Sequence, residues 1–545
     1  RMLEACRAVG DKAVLPVGYQ IQMGSIWNAS HPDSIRRDAE GQPLDIYGGG
    51  VSASFYSPQY RQDIETYYHW VDDEFVRPYE DVILMLNLAD EPLGGDYSAT
   101  AEAEFRRLHG FGFDGVGEDP ARQRLLGEFQ SRYVVEYAAY SAGLWQELHP
   151  ELLVTMSFDG AQARKTFTLP DVEALFRDTP PNFVVTFDAY PRDGLPHISL
   201  DDKNLVGLFL LARSLGLYSA HYGRPVWLWA AANSWGLSQA SPDPGTVSDA
   251  VANGLYLALL VRQAGGDLQG IAYWNYNAKE QGLYNDTHTT AYEPDAMFKG
   301  VSAGFNNLRT QMAGKASRPR VLVLAPPAVS HRQIGAQREA VRLEVQPFRR
   351  LAILAKEGVS TAVVSSLENL PLAGVRAIAV LSPEVDSLSG EDLAALHEFL
   401  AGGGKVIASP AVGEALADVA GGAPKPAYGG LVQKQGSLYV AQQGIAVLFE
   451  DRRHEILSGF WRGVLGLRSP QPGYRVITGD VALHYHIGPD PIQVQVGTSY
   501  QVMGYRHDDE ACPVDWIVAG NPTLILGRRE YAFLQRIPRR IPQRQ

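Results

Sequence analysis

Residues 81–92 read Asp-Val-Ile-Leu-Met-Leu-Asn-Leu-Ala-Asp-Glu-Pro. From Val82 to Leu88 the run is apolar, broken only by Asn87. Alternating polar and apolar residues would mark a strand with one wet face, whereas a nearly unbroken run marks one buried on both. The run stops abruptly at Asp90-Glu91-Pro92. Two adjacent carboxylates at the end of a buried strand are costly to desolvate unless they have partners or a task. In a (β/α)8 barrel, the C-terminal ends of the strands carry the chemistry. A strand that merely runs into a polar loop gives the same local pattern, so the neighbouring segments must decide.

Those segments repeat the arrangement. Apolar runs occur at 13–20 (AVLPVGYQ), 152–158 (LLVTMSF), 183–187 (FVVTF), 225–229 (PVWLW) and 271–274 (IAYW). Helical patterns lie between them, at 59–75, 121–147 and 247–264. Strand alternating with helix predicts a parallel sheet. Polar or aromatic residues follow almost every run: Asp159, then Asp188-Ala189-Tyr190, then Asn233, then Asn275. Such groups collected at one end predict a barrel whose mouth is a site. Six strands are counted where a closed barrel has eight. The chain opens on Arg1 in a helical pattern, so the first two strands are expected to precede it. On that count Glu91 follows barrel strand four and Ala230 follows strand seven.

A chain of 545 residues is too long for one core, and two to four domains are expected. The net charge of −13 disfavours a nucleic-acid partner, which would call for a basic face. No apolar run is long enough to span a bilayer, so no membrane partner is expected. Cys6 and Cys512 are the only cysteines, which argues against a disulfide framework or a cysteine-rich metal site. The spacing of the His and carboxylate residues adds no metal cluster, and no cofactor is expected. Nine Trp and 26 Tyr suit a protein that handles carbohydrate.

Near residues 316–319 the pattern changes. Short strands at 321–324, 361–364, 377–381 and 405–408 alternate with helices at 340–357 and 389–400. This predicts a small doubly wound α/β unit over 317–420. Its Gly402-Gly403-Gly404 follows a helix and precedes a strand, the wrong order for a phosphate loop and the right one for a helix stop. From 421 to 545 short alternating runs, including 437–441, are separated by Gly and Pro, which predicts an all-β domain.

Several of these stretches together resemble glycoside hydrolase family 42, the β-galactosidases of clan A. Residues 27–61, from Trp27 through Asp38-x-x-Gly41 to Ser57-Pro58-Gln59-Tyr60-Arg61, resemble its third-strand region. LNLADEP, VVTFDAYP, RPVWLWAAANSWG and AYWNY resemble its strands four, six, seven and eight. The resemblance implies a (β/α)8 TIM barrel over 1–316, incomplete at its N-terminus, and a cytoplasmic location. It implies a flavodoxin-like or amidotransferase-like α/β domain that assembles a homo-oligomer, a trimer in the family. It makes Glu91 the acid/base and Ala230 the position of the nucleophile. Asp90 stands where the family has an Asn that contacts the sugar 2-hydroxyl, and an ionised Asp accepts hydrogen bonds but cannot donate them. Asp188, Tyr190, Asn233 and His288 are implied substrate contacts, and Trp27, Trp235 and Trp274 implied stacking platforms.

A retaining glycosidase needs two carboxylates about 5 Å apart, one nucleophilic and one acid/base. An adjacent Asp90 and a buried setting favour the protonated acid at Glu91. At Ala230 a methyl group cannot attack an anomeric carbon. Three readings stand side by side. The Ala is an engineered replacement, or a natural relative has lost or moved its nucleophile, or the register is shifted and Glu280 or Asp188 supplies the carboxylate. The function expected is hydrolysis of β-linked sugars, with β-galactosides implied by the resemblance. The alternatives are a non-catalytic carbohydrate-binding barrel and an oligomeric scaffold derived from a glycosidase.

Overall fold

The computed structural model describes residues 1–18, 21, 23–44, 51–92, 95–159, 171–188, 203–231, 268–274, 319–326, 361–382 and 384–420. Beyond Ala420 it describes the strand segments 425–426, 432–435, 438–441, 473–475, 483–484, 493–494, 502–506 and 514–519.

The first sheet contains β1 (Ala13–Pro16), β2 (Ile83–Asp90), β3 (Leu153–Asp159), β4 (Phe183–Asp188), β5 (Val226–Ala231) and β6 (Leu268–Trp274). The six pair in sequence order, every pair parallel, and the sheet curls into an open half-barrel. The helices around it are α1 (Met2–Val9), α2 (Ser25–Ser30), α3 (Pro58–Val71), α4 (Ala99–His109), α5 (Pro120–Leu148), α6 (Val172–Asp178) and α7 (Lys203–Tyr222). Their starts follow the capping rules. Ser57 accepts from Tyr60 N–H ahead of Pro58, Ser98 accepts from Ala101 N–H, and Asp119 accepts from Ala121 and Arg122 N–H ahead of Pro120. Among the described residues no helix is long and apolar enough to cross a membrane.

The two faces of the sheet differ in chemistry. Leu86, Leu88, Val154, Met156, Phe158, Val185, Phe187 and Leu228 share one core with Tyr68, Tyr133, Tyr137 and Trp145 of the helices. These strand residues form the outer face. The residues between them form the inner face, which is polar: Asn87 pairs with Thr155, and Ser157 with Thr186. The Thr155 hydroxyl donates to Val184 O (2.6 Å) and the Thr186 hydroxyl to Met156 O (2.8 Å), so this interior face satisfies its own hydroxyls. Gly18, just past β1, lies against β2: a Cβ there would meet Leu88 O at 2.1 Å.

The second sheet holds β7 (Val321–Leu324), β8 (Thr361–Val364), β9 (Ala377–Val380), β10 (Lys405–Ala408), β11 (Lys425–Pro426), β12 (Val432–Gln435) and β13 (Leu438–Ala441). Its order is β11-β12-β13-β10-β9-β7-β8. The pairs among β7, β8, β9, β10 and β13 are parallel, and β11 and β12 add antiparallel at the edge. The segments 425–426, 432–435 and 438–441 therefore belong to this sheet, beyond the boundary expected at 420/421. The strand foreseen at 437–441 is β13, paired with β10. A period-two pattern identifies a strand without naming its partner. The triple glycine ends α8 (Gly390–Ala401) as expected: Gly403 has φ 85°, and a Cβ on Gly404 would collide with the Phe399 ring at 2.4 Å. The edge strand β8 is covered by α7. Ser214 Oγ donates to Val363 O (2.7 Å) and accepts from Val363 N–H (3.1 Å), which satisfies main-chain groups of an edge that would otherwise invite another strand.

Candidate active site

The C-terminal end of β2 is irregular. Asn87 pairs with Thr155 of β3, but Asp90 pairs with Ser157, so three residue steps on β2 oppose two on β3. The extra residue is a bulge, a device that re-aims side chains at a strand end. Glu91 follows it with φ 44°, a left-handed backbone that a non-glycine residue adopts at a cost of about 1 kcal/mol. Its N–H donates to Ser157 O at 2.7 Å, which holds the turn closed.

Ser157 also organises the carboxylate before it. Its hydroxyl donates to Asp90 Oδ1 (2.8 Å) and accepts from Asn87 Nδ2 (3.2 Å), and its N–H donates to Asn87 Oδ1 (3.3 Å). Asn87 and Ser157 are buried, while Asp90 and Glu91 are half-buried. The chain Asn87–Ser157–Asp90 points a hydroxyl proton at Asp90, an arrangement that suits an ionised acceptor.

The segment after Glu91 is anchored by Asp96. This carboxylate is fully buried and accepts from Ser54 Oγ (2.5 Å), Ser98 Oγ (3.1 Å), Ser98 N–H (2.8 Å) and Arg37 N–H (3.3 Å). The Gln130 amide of α5 brackets its main chain, accepting from Asp96 N–H (2.5 Å) and donating to Asp96 O (2.8 Å). Arg36, also buried, donates to Gly95 O and lies 4.7 Å over the Tyr133 ring. Burial pushes the Asp96 carboxyl up, and the hydrogen bonds from Ser54 and Ser98 and the charge of Arg36 only partly offset it. The segment carrying Glu91 is thus bolted to Arg36, Arg37 and Ser54 and to α5.

Asp188 ends β4, is buried, and pairs with Asp159 on one side and Trp229 on the other. Counting from Thr186, it lies on the inner face. Ala230 pairs with Tyr273, and Ala231 with Trp274. The Trp227 ring lies over Gly270, where a Cβ would come within 2.3 Å of it. Trp27 sits on α2. Its indole N–H donates to Asp63 Oδ2 (2.7 Å), His31 stacks on it at 4.6 Å, and Tyr60 meets it edge-on at 6.0 Å. Burial raises the Asp63 carboxyl, but the hydrogen bonds from Trp27 and Gln59 and the charge of His31 outweigh it and hold it below its ordinary value.

Of the residues singled out in the sequence, Asp90 and Glu91 therefore share the Ser157 anchor, and Asp188 ends a strand two places along the sheet. Trp27 lies on α2, while Ala230 and Trp274 are described by their backbone pairing. Tyr190, Asn233, Trp235, Glu280 and His288 lie outside the described residues. Sequence reading passed over Asn87, Ser157 and Asp96. Thr155 and Ser157 sit two apart in an otherwise apolar run, and that spacing marks a polar inner face. Among the described residues no group of His, Cys, Asp and Glu could hold a metal ion.

No protein-family model matches the chain, and no curated protein matches it. Solved structures do. A β-galactosidase from the psychrophilic Marinomonas ef1 aligns with TM-score 0.61 at 15% identity, over 93% of this chain and 86% of that one. A β-galactosidase from Bacillus circulans sp. alkalophilus aligns with TM-score 0.61 at 13% identity, over 92% and 83%. A catalytic mutant of a glycoside hydrolase family 42 β-galactosidase from G. stearothermophilus aligns with TM-score 0.60 at 13% identity, over 93% and 83%. At these identities the likeness is one of fold: the chain has the glycoside hydrolase fold of the family 42 β-galactosidases.

Proposed function

We propose that the chain acts on β-linked sugars as a glycoside hydrolase, with Glu91 as acid/base and Ala230 at the place of the retaining nucleophile. The observation that carries this reading is the bulged end of β2. A strained, left-handed Glu beside a hydroxyl-held Asp is an arrangement that a merely structural strand end has no reason to keep. The choice of β-galactosides rests on the galactosidases whose fold it shares.

The strand register sets the height of Ala230, while alternation along β5 puts Ala230 on the side of Leu228 and leaves Trp229, the partner of Asp188, on the inner face. In a barrel of eight strands and shear 8, equal height advances about one residue per strand. The ladder from Asp90 runs through Ser157 and Thr186 to Trp227, and three strand steps then carry the height of Asp90 to Ala230. The same count reaches Asp188 on β4 and Trp274 on β6. A second reading, turnover through Asp188, is favoured by the burial of that carboxylate on the inner face at the same height. Without any nucleophile the barrel binds sugar and does not turn it over.

The remaining assignments belong to the same proposal. In chain order, β7 to β10 and β13 stand in the sheet as 2-1-3-4-5, the flavodoxin-like order. We assign this unit to residues 317–441, the barrel to 1–316 and a β-rich domain to the remainder. The unit has no catalytic cysteine, and its place in the family argues for a homo-oligomer, a trimer by resemblance; a monomer in light scattering at micromolar concentration overturns that part.

The test is hydrolysis of aryl β-galactosides by the unchanged chain, by Ala230→Glu and by Asp188→Asn. Retaining hydrolysis gained with Ala230→Glu supports the Ala230 assignment. Hydrolysis by the unchanged chain that Asp188→Asn abolishes overturns it in favour of Asp188.

A further inference from the structure

Among the described residues the second α/β unit meets the half-barrel at α5, through residues 385–387, and at a seam on α6 and α7. At that seam residues 361–368 lie against α6 and α7. Ser214 of α7 clasps Val363, and Ser365 Oγ donates to Asp171 Oδ1 at 3.1 Å. Behind this seam lies Glu173 of α6, 1% exposed. Its Oε1 accepts the Tyr222 hydroxyl at 2.8 Å.

The groups facing Glu173 come from three elements. Asp171 and Arg177 flank it on its own segment, Tyr218 and Tyr222 come from α7, and Glu368 comes from the second unit. Two of these are carboxylates. The one cation, Arg177, is already engaged by Asp178 through Nε (2.7 Å) and a second nitrogen (3.1 Å), and Asp178 also takes Arg132 (2.6 Å). A buried carboxylate with acidic neighbours and no cation of its own is stable as the neutral acid. Ionising it would place a charge behind the seam and repel Asp171 and Glu368 on either side.

We infer that the docking of the second α/β unit on α6 and α7 is proton-linked, with Glu173 as the group that takes up the proton. Burial pushes the Glu173 carboxyl up to about 7, and the Tyr222 hydrogen bond only partly offsets it. A value raised above the ordinary 4.5 means that the proton favours the closed seam. The contribution is complete below about 4.5 and is lost as pH rises through about 7. One proton changes the opening equilibrium by at most about tenfold per pH unit in that window.

The test is hydrogen exchange of the peptide over 361–368 in the full chain from pH 5 to 8.5, corrected for intrinsic exchange, with the peptide over 58–71 as control. Protection at 361–368 should fall by up to about tenfold per unit as pH rises towards 7 and then level off, while the control holds steady. Glu173→Gln should keep the low-pH protection throughout. The inference is overturned if Glu173→Gln keeps the wild-type pH dependence, or if the control loses protection in parallel. Should Glu173→Gln not fold, Tyr222→Phe decides. Removing a hydrogen bond to the ionised carboxylate must move the midpoint to higher pH, and an unmoved midpoint overturns the inference. None of these readouts requires hydrolytic activity, so they stand or fall apart from the proposed function.

Discussion

The two ends of the first sheet are built on opposite plans. At the N-terminal end, charged side chains tie the segments that flank the strands to one another. Arg224, just before β5, donates four hydrogen bonds of 2.6–2.8 Å to the carbonyls of Phe176, Thr179, Pro180 and Phe183. The fully buried Asp72 receives His149 (2.5 Å) and Arg77 (2.8 Å). Arg7 pairs with Asp81 next to the start of β2. At the C-terminal end a bulge, a left-handed Glu and a set of carboxylates take their place. One end holds strands together, and the other spends part of that stability on re-aiming acidic side chains. In a barrel, fixation at the N-terminal end and chemistry at the C-terminal end is the usual division.

That contrast can be broken by substitution. The largest loss is expected from Arg224→Ala, which strands four carbonyls at once. It should cost about 3–5 kcal/mol, since each buried acceptor left without a donor costs roughly 1–3 kcal/mol and some will find water. Urea denaturation measures it. A loss under about 1 kcal/mol would mean that the N-terminal end is not held as described. Ser157→Ala comes next. It removes the donor to Asp90 and the acceptor for Asn87, for about 1 kcal/mol of stability. Because the Glu91 turn is held by the main-chain carbonyl of residue 157, the turn should survive, while sugar affinity measured by calorimetry weakens. The smallest effect has the opposite sign. Glu91→Gly relieves the left-handed backbone and should raise stability by about 0.5–1 kcal/mol while removing the carboxylate proposed as acid/base. A variant that is both more stable and inert separates strain kept for function from strain without purpose. If Glu91→Gly destabilises the fold, the N-terminal and C-terminal ends do not differ as argued.

Much of this was legible in the sequence. The six apolar runs became the six strands, because an unbroken run terminated by polar residues has few other homes. The carboxylate pair at 90–91 announced the irregular end of β2. The bulge itself was not legible, since it is a mismatch between β2 and a strand some seventy residues later in the chain. The same holds for Trp27. Its aromatic ring suggested a sugar platform, but only the fold reveals that Asp63 takes its N–H and His31 covers one face. Residues 437–441 were readable as a strand and unreadable as a member of the second sheet, because strand order depends on partners that pattern does not name.

The central claim, that Glu91 faces a place for a nucleophile that Ala230 cannot supply, is tested most directly by product stereochemistry. An aryl β-galactoside is offered with and without azide, and the product anomer is read by proton NMR. A small anion entering beside Ala230 attacks the face opposite the leaving group, so the account predicts negligible turnover without azide. With azide it predicts the inverted α-glycosyl azide, formed at a rate that rises with azide concentration. Retaining hydrolysis by the unchanged chain, insensitive to azide, would contradict it.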